Sequence, residues 1–139
     1  MSKDSIDREG GFCPSVSAKL QQVTLNSVRG VLPDAAIERA CRIAEYTYRR
    51  RTLTPIVTVL HMVLAALWPE ESLAASWHVL WDWAVGCFPA LGGKSPSSGS
   101  QAKARARLPL KVWQAIFEWV AARAQELSGQ LALWRGHRI

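Results

Sequence analysis

Apolar residues recur with a helical period between residues 34 and 50. Four of them are spaced by four, three and four positions, namely Ile37, Cys41, Ala44 and Tyr48. This spacing is typical of one buried helix face. Pro33 and Asp34 are residues that favour a helix start. The pattern therefore predicts a helix from residue 34 to residue 50.

Two further helices are predicted between residues 54 and 85. Thr54 and Pro55 provide an N-cap hydroxyl and a proline at the first helical position. The segment that follows is apolar almost all round up to Leu67, so we expect it at the centre of the core. Ser72 is the expected cap of the next helix, which ends near Val85. Its apolar face comprises Leu73, Trp77, Leu80, Trp81 and Ala84.

The C-terminal part is predicted to contain a loop and two helices. Residues 86–100 are rich in Gly, Pro and Ser and indicate a loop. A short helix over residues 100–107 follows, and Pro109 begins a long helix that ends near residue 128. We assign the inner face of the long helix to Trp113, Ile116, Phe117, Val120, Ala124 and Leu127.

The predicted fold is all-α, because no strand pattern precedes the last ten residues, which lose the helical period. We expect about four or five helices around a Trp-rich core, with a short extended C-terminal tail. The expected organisation is a flexible arm over residues 1–30, with a short helix near residues 18–28, a helical domain over residues 31–129 and the tail from residue 130.

Composition narrows the class of protein. A chain of 139 residues, 49% of them hydrophobic, fits one domain with a buried core. The three cysteines are scattered and odd in number, which argues against a disulfide framework or a zinc site. The longest apolar run, residues 56–67, is shorter than the roughly 20 residues that span a bilayer. We therefore expect a cytoplasmic protein without a membrane partner.

Positive charge is concentrated in two blocks. The net charge is +6, residues 39–52 contain five Arg and one Glu, and residues 94–111 contain five basic residues and no acid. Such clusters are the usual footprint of phosphate contact, although a solvated helix face would have the same composition. Arg42 has Glu38 four residues earlier, whereas Arg50 and Arg51 have no acid within one turn. Lys103 and Arg107 would share a helix face, with Arg105 pointing away.

The seven tryptophans mostly lie on the predicted core stripes, as Trp77, Trp81 and Trp113 do, but Trp83 and Trp119 lie off them. Trp119 continues a second apolar ridge that needs a partner surface, either another helix or something missing from the chain. This ridge includes Val112, Ala115 and Ala122. It supports an alternative function, a helical interaction or dimerisation module that docks through the Trp83 and Trp119 surfaces.

Enzyme motifs are absent from the sequence. The eleven acids are scattered, and the chain contains no phosphate-binding loop, nucleophile elbow or H-E-x-x-H motif. His61 lies within the most apolar predicted helix, where a hydrogen-bonded core histidine is expected. We therefore assign no catalytic or metal-ligating residue and no cofactor, and we do not expect an enzyme.

Four short motifs occur in the order and spacing of a known family. Residues 48–55 read YRRRTLTP, residues 68–73 read WPEESL, residues 100–110 read SQAKARARLPL and residues 134–138 read WRGHR. Together they resemble the N-terminal domain of insertion sequence family four transposases, over residues 31–139. The third motif is similar to the family's A-Y-C-K-A-R-x-R-L-P signature, with Gln101 and Ala102 replacing Tyr-Cys.

The resemblance implies a helical module that contacts double-stranded DNA at transposon ends. In the family, a ribonuclease H-like domain follows the W-x-G-x-R strand, and its Asp, Asp and Glu hold two magnesium ions. The chain ends before that point, so we expect a truncated, non-catalytic fragment whose partners are DNA, a transposase copy or the missing catalytic domain. The expected phosphate contacts are Arg49, Arg50, Arg51, Lys103, Arg105 and Arg107.

Overall fold

The computed structural model describes residues 16–48, 53–91 and 94–131, and within them the chain is all-α, with no strand. The six α-helices are α1 (Val16–Val31), α2 (Asp34–Ile43), α3 (Pro55–Leu67), α4 (Leu73–Cys87), α5 (Ser98–Arg107) and α6 (Leu110–Leu131). A 3-10 turn, Pro89–Leu91, lies between α4 and α5. The all-α prediction is confirmed, with slightly more helices than expected. The predicted extended tail lies outside the described residues from position 132 onwards.

Side-chain caps set three helix starts. The Thr54 hydroxyl accepts a hydrogen bond from the backbone N–H of Val57 at 3.5 Å. The Ser72 hydroxyl caps α4 in the same way, by accepting from Ala75 N–H at 3.0 Å. Both caps are as predicted. The cap of α5 is Ser97, so this helix begins two residues earlier than predicted.

Helix α3 lies at the centre of the fold, as its uniformly apolar sequence predicts. One side of α3 packs with α1, α4 and the 3-10 turn in a first core, which comprises Leu25, Val57, Leu60, Leu64, Trp77, Leu80, Trp83, Ala84 and Leu91. The other side packs with α2 and α6 in a second core, which comprises Leu32, Ala36, Ile37, Ala40, Cys41, Val59, Leu108, Val112 and Ile116. Since Ile56 packs against both cores, α3 joins them.

Helix α1 belongs to the packed domain, although we expected a flexible arm over residues 1–30. Leu25 is 1% exposed in the first core, and the indole N–H of Trp83 donates to Asn26 Oδ1 at 2.9 Å. The Arg29 guanidinium donates to both carboxylate oxygens of Asp34, at 3.2 and 2.6 Å. Residues 16–30 therefore do not form a separate arm, and the short helix expected near residues 18–28 lies within α1. Residues 1–15 lie outside the described part.

Helix α2 ends at Ile43, seven residues before the predicted end. The chain leaves the helix at Glu45, which has a left-handed φ of 53°. Glu45 N–H donates to the Arg42 carbonyl at 3.0 Å and Tyr46 N–H donates to the Cys41 carbonyl at 2.9 Å. These two bonds form a Schellman motif. The apolar spacing through Tyr48 was therefore misleading, because Tyr48 packs against the second core from outside the helix.

The buried face of α4 is wider than predicted. Trp83, which lies off the predicted stripe, is 7% exposed, whereas Leu73 at the helix start is 49% exposed. The reason is that α4 packs against α1 as well as α3, so a second side of the helix is covered. Trp83 therefore lies inside the fold and not on a docking surface.

The buried face of α6 is rotated from the predicted one. Helix α6 packs along α2, and the indole N–H of Trp119 donates to the Val31 carbonyl at 3.1 Å. Val112 and Ile116 are buried, whereas Phe117, predicted to face inwards, is 73% exposed. The apolar ridge that contains Trp119 therefore packs against another part of the same chain. Gln130 and Leu131, predicted as extended, lie within this helix.

His61 is a core histidine, as predicted. It is 1% exposed, its Nε2 lies 3.2 Å from the Leu73 carbonyl, and its ring meets the edge of Trp77 at 5.2 Å. Burial lowers the pKa of His61 below its ordinary 6.5, a shift that the Leu73 hydrogen bond opposes and the positive charge of Arg105 assists. None of the helices in the described ranges is long and apolar enough to cross a membrane.

Replacing Glu45 with glycine is expected to stabilise the protein. A left-handed residue with a Cβ costs about 1–2 kcal/mol, of which the greater backbone entropy of glycine offsets about 0.5–1 kcal/mol. We expect Glu45→Gly to raise the free energy of unfolding by about 0.5–1 kcal/mol, measured by urea denaturation. Glu45→Ala is the control, and equal stability of the two variants would contradict the assignment of strain to this position.

Lowering the pH is expected to destabilise the protein through His61. Because its pKa is depressed in the folded state, the unfolded chain binds more protons below about pH 6.5. The free energy of unfolding should fall as the pH drops from 6.5 towards the folded pKa, with a slope of up to about 1.4 kcal/mol per pH unit.

The measurement is urea denaturation between about pH 7.5 and about pH 5, a range that contains the ordinary histidine pKa of about 6.5. His61→Gln should lose much of the slope, even though it lowers the stability at every pH. The matched control is His78→Gln, since His78 is exposed. If His61→Gln and the parent protein have parallel curves, His61 is not the source of the acid sensitivity.

Candidate functional site

A cleft of about 840 Å³ opens between the segment after α2, the start of α3 and helix α5. Tyr46 and Tyr48 line it from the first segment, and Pro55 and Thr58 line it from α3. The third wall carries basic side chains, which are Lys94, Lys103 and Arg107. None of the described residues that line the cleft is acidic. The cleft therefore combines aromatic rings with converging positive charge.

Helix α5 positions two of these basic residues. Lys103 and Arg107 are four residues apart, so they lie on the same helix face, and both are exposed. The helix is held at its ends by buried Leu108, which is 8% exposed in the second core, and by Gln101, whose Nε2 donates to the Pro96 carbonyl at 3.1 Å.

Arg105 lies away from the other two. It is half-buried, it is not among the residues that line the cleft, and its charge acts on buried His61. The i,i+4 spacing thus separates the predicted contacts on α5 into a pair that faces the cleft and one residue that does not. Arg49, Arg50 and Arg51 lie outside the described residues; in the sequence they fall between Tyr48 and Leu53, which both line the cleft.

Two residues of the cleft were missed by the sequence analysis. Lys94 belongs to the second basic block, but it precedes α5 by a loop, and no helical spacing links it to Lys103. Tyr46 was hidden because the predicted helix continued through it. A signal for the end of the helix is present in the sequence. Aromatic and β-branched residues favour extended chain, and three of them follow one another at Tyr46, Thr47 and Tyr48.

The early end of α2 brings the two tyrosines together. Their rings are stacked, with centroids 5.9 Å apart and planes inclined by 29°. Both residues are half-buried, because one side of the pair packs against the second core. The aromatic pair thus forms a wall of the cleft that is rigidly supported from behind.

The basic residues of the cleft have no opposing charge in the described part of the chain. The ion pairs found there join Arg29 to Asp34 and Arg123 to Glu126, and neither involves a cleft residue. Lysine ammonium groups act as mobile point charges, whereas the arginine fork can hold two phosphate oxygens at once. The arrangement is therefore suited to binding a polyanion.

Groups for covalent or metal chemistry are not gathered at the cleft. Within residues 16–48, 53–91 and 94–131, no three His, Cys, Asp or Glu side chains lie close enough to hold a metal ion. Cys41 is buried in the second core, and burial, with a contribution from Glu38, raises the pKa of its thiol, which favours the unreactive protonated form. The described residues of the cleft offer basic groups that can bind anions and aromatic rings that can stack on a ligand.

Comparison of the chain with protein-family models, with curated proteins and with solved structures gives no match.

Proposed function

We propose that the protein binds double-stranded DNA through the basic cleft and is non-catalytic by itself. The observation that carries the proposal is the convergence of Lys94, Lys103 and Arg107 on one cleft without an acidic neighbour among the described residues. Lysine and arginine contacts to phosphate, with release of counterions, supply most of the affinity of proteins for DNA.

The sequence resemblance suggests which DNA is bound. One of the four motifs, SQAKARARLPL, covers most of helix α5 and the start of α6, and its residues Lys103 and Arg107 line the cleft. We propose that the target is the end of an insertion sequence, in the cytoplasm and on the nucleoid. The partner in transposition would be a transposase copy or a separate catalytic domain, which would supply the magnesium ions for strand cleavage.

A second candidate function is protein interaction through α6. Leu110 and Phe117 are 71% and 73% exposed, and their spacing of seven residues places them on one face of the helix. The Trp83 and Trp119 surfaces that the sequence suggested for docking are packed within the fold. Docking through α6 would therefore use the Leu110 and Phe117 face.

Removing charge from the cleft is expected to weaken DNA binding in a salt-dependent manner. The logarithm of the affinity falls with the logarithm of the salt concentration by about 0.9 per phosphate contacted. The triple variant Lys94→Ala, Lys103→Ala and Arg107→Ala should reduce this slope by about 2–3. Fluorescence anisotropy with a labelled duplex at several salt concentrations measures both affinity and slope.

Lys111→Ala is the matched control, because Lys111 is exposed at the start of α6 and is not among the residues that line the cleft. It should leave the salt dependence of the affinity unchanged, whereas the loss of one phosphate contact would reduce the slope by about 0.9. A parent protein that binds no duplex at low salt would overturn the proposal. A concentration-dependent mass in ultracentrifugation, abolished by Phe117→Ser, would then favour the interaction module.

A further inference from the structure

Contact with the backbone of duplex DNA requires basic residues but makes no use of the tyrosine pair. In a duplex the bases are stacked inside, and a cleft that meets the backbone reaches phosphates and sugars. Tyr46 and Tyr48 nevertheless line the cleft as a stacked pair, with ring centroids 5.9 Å apart, together with Lys94, Lys103 and Arg107. An aromatic surface beside a basic one is the combination with which proteins hold unpaired strands.

The dimensions of the cleft fit a nucleotide. Its volume of about 840 Å³ lies within the range of about 300–1,000 Å³ typical of pockets for small ligands. Both rings are half-buried and pack against the second core. A base that enters the cleft would meet the stacked tyrosines, and the phosphates beside it would meet the basic side chains that line the same cleft.

We propose that the cleft takes an unpaired nucleotide of DNA, with its base stacked on the Tyr46 and Tyr48 pair and its phosphates held by Lys94, Lys103 and Arg107. This inference rests on the proposed function, and it specifies the substrate as duplex DNA with an unpaired end. Recognition is tolerant of sequence, because every base has a ring face on which tyrosine can stack.

The test compares three labelled DNAs of the same duplex sequence by fluorescence anisotropy. The first is blunt, the second carries an unpaired extension of about four nucleotides, and the third carries an abasic extension of the same length. The abasic extension adds the same phosphates without bases. We expect the second DNA to bind at least about fivefold more tightly than both others, as stacking of one base would give.

Variants of the tyrosines separate stacking from charge. Tyr46→Ala and Tyr48→Ala should abolish the preference for the base-bearing over the abasic extension. Tyr48→Trp should retain the preference, because tryptophan keeps a stacking face. Phe117→Ala is the matched control, since it removes an exposed ring from α6 at a distance in the sequence from both tyrosines. Circular dichroism melts identify any variant that fails to fold.

Three outcomes would overturn the inference, and they can be told apart. Equal affinity for the blunt, base-bearing and abasic DNAs would remove the nucleotide site but leave duplex binding in place. Absence of binding to all three DNAs at low salt would remove the proposed function together with the site. A preference that survives in Tyr48→Ala and Tyr46→Ala would show that the extension binds elsewhere on the protein.

Discussion

The structure depends on the burial of α3. A helix that is apolar on every side cannot lie on a surface and must be enclosed by other elements. Here α1 and α4 cover one side and α2 and α6 cover the other, so two cores meet on a single helix. The first turn of α3, with Pro55 and Thr58, emerges at the floor of the cleft. The helix that joins the two cores thus supports the candidate site directly.

The wall of the cleft is formed by a chain reversal that has an energetic cost. The Schellman motif at the end of α2 places Glu45 in a left-handed conformation, although residues with a Cβ disfavour it. The reversal lets Tyr46 and Tyr48 stack on one another beside the basic residues. Backbone strain of this kind is often found at functional sites, and here it lies next to the cleft on which both proposals rest.

Arginines in this chain fall into two groups with different surroundings. Arg29 is held by Asp34 at 2.6 Å and lies over the ring of Phe88 at 4.8 Å from its centroid, so its charge stabilises the junction of α1 and α2. Arg107 lines the open cleft with Lys103, and no ion pair in the described ranges neutralises them. The charge of Arg29 is thus paired within the fold, whereas that of Arg107 is left available to a ligand.

Local sequence determined those features that depend on a few neighbouring residues. The caps Thr54 and Ser72, the central position of α3 and the common face of Lys103 and Arg107 were all predictable, because capping and helical spacing act over four residues at most. They account for the all-α class and for half of the cleft. They leave open which helices become neighbours.

Tertiary packing decided which of several apolar faces is buried. Trp83 is buried because α1 covers a second side of α4, and Trp119 is partly buried while Phe117 is exposed because α6 packs along α2. Packing also placed Tyr46, which follows the end of α2 at Ile43, in the same cleft as Lys94 from a distant part of the chain. The periodic pattern of one segment cannot specify these outcomes, since burial depends on the elements that meet it from elsewhere in the sequence.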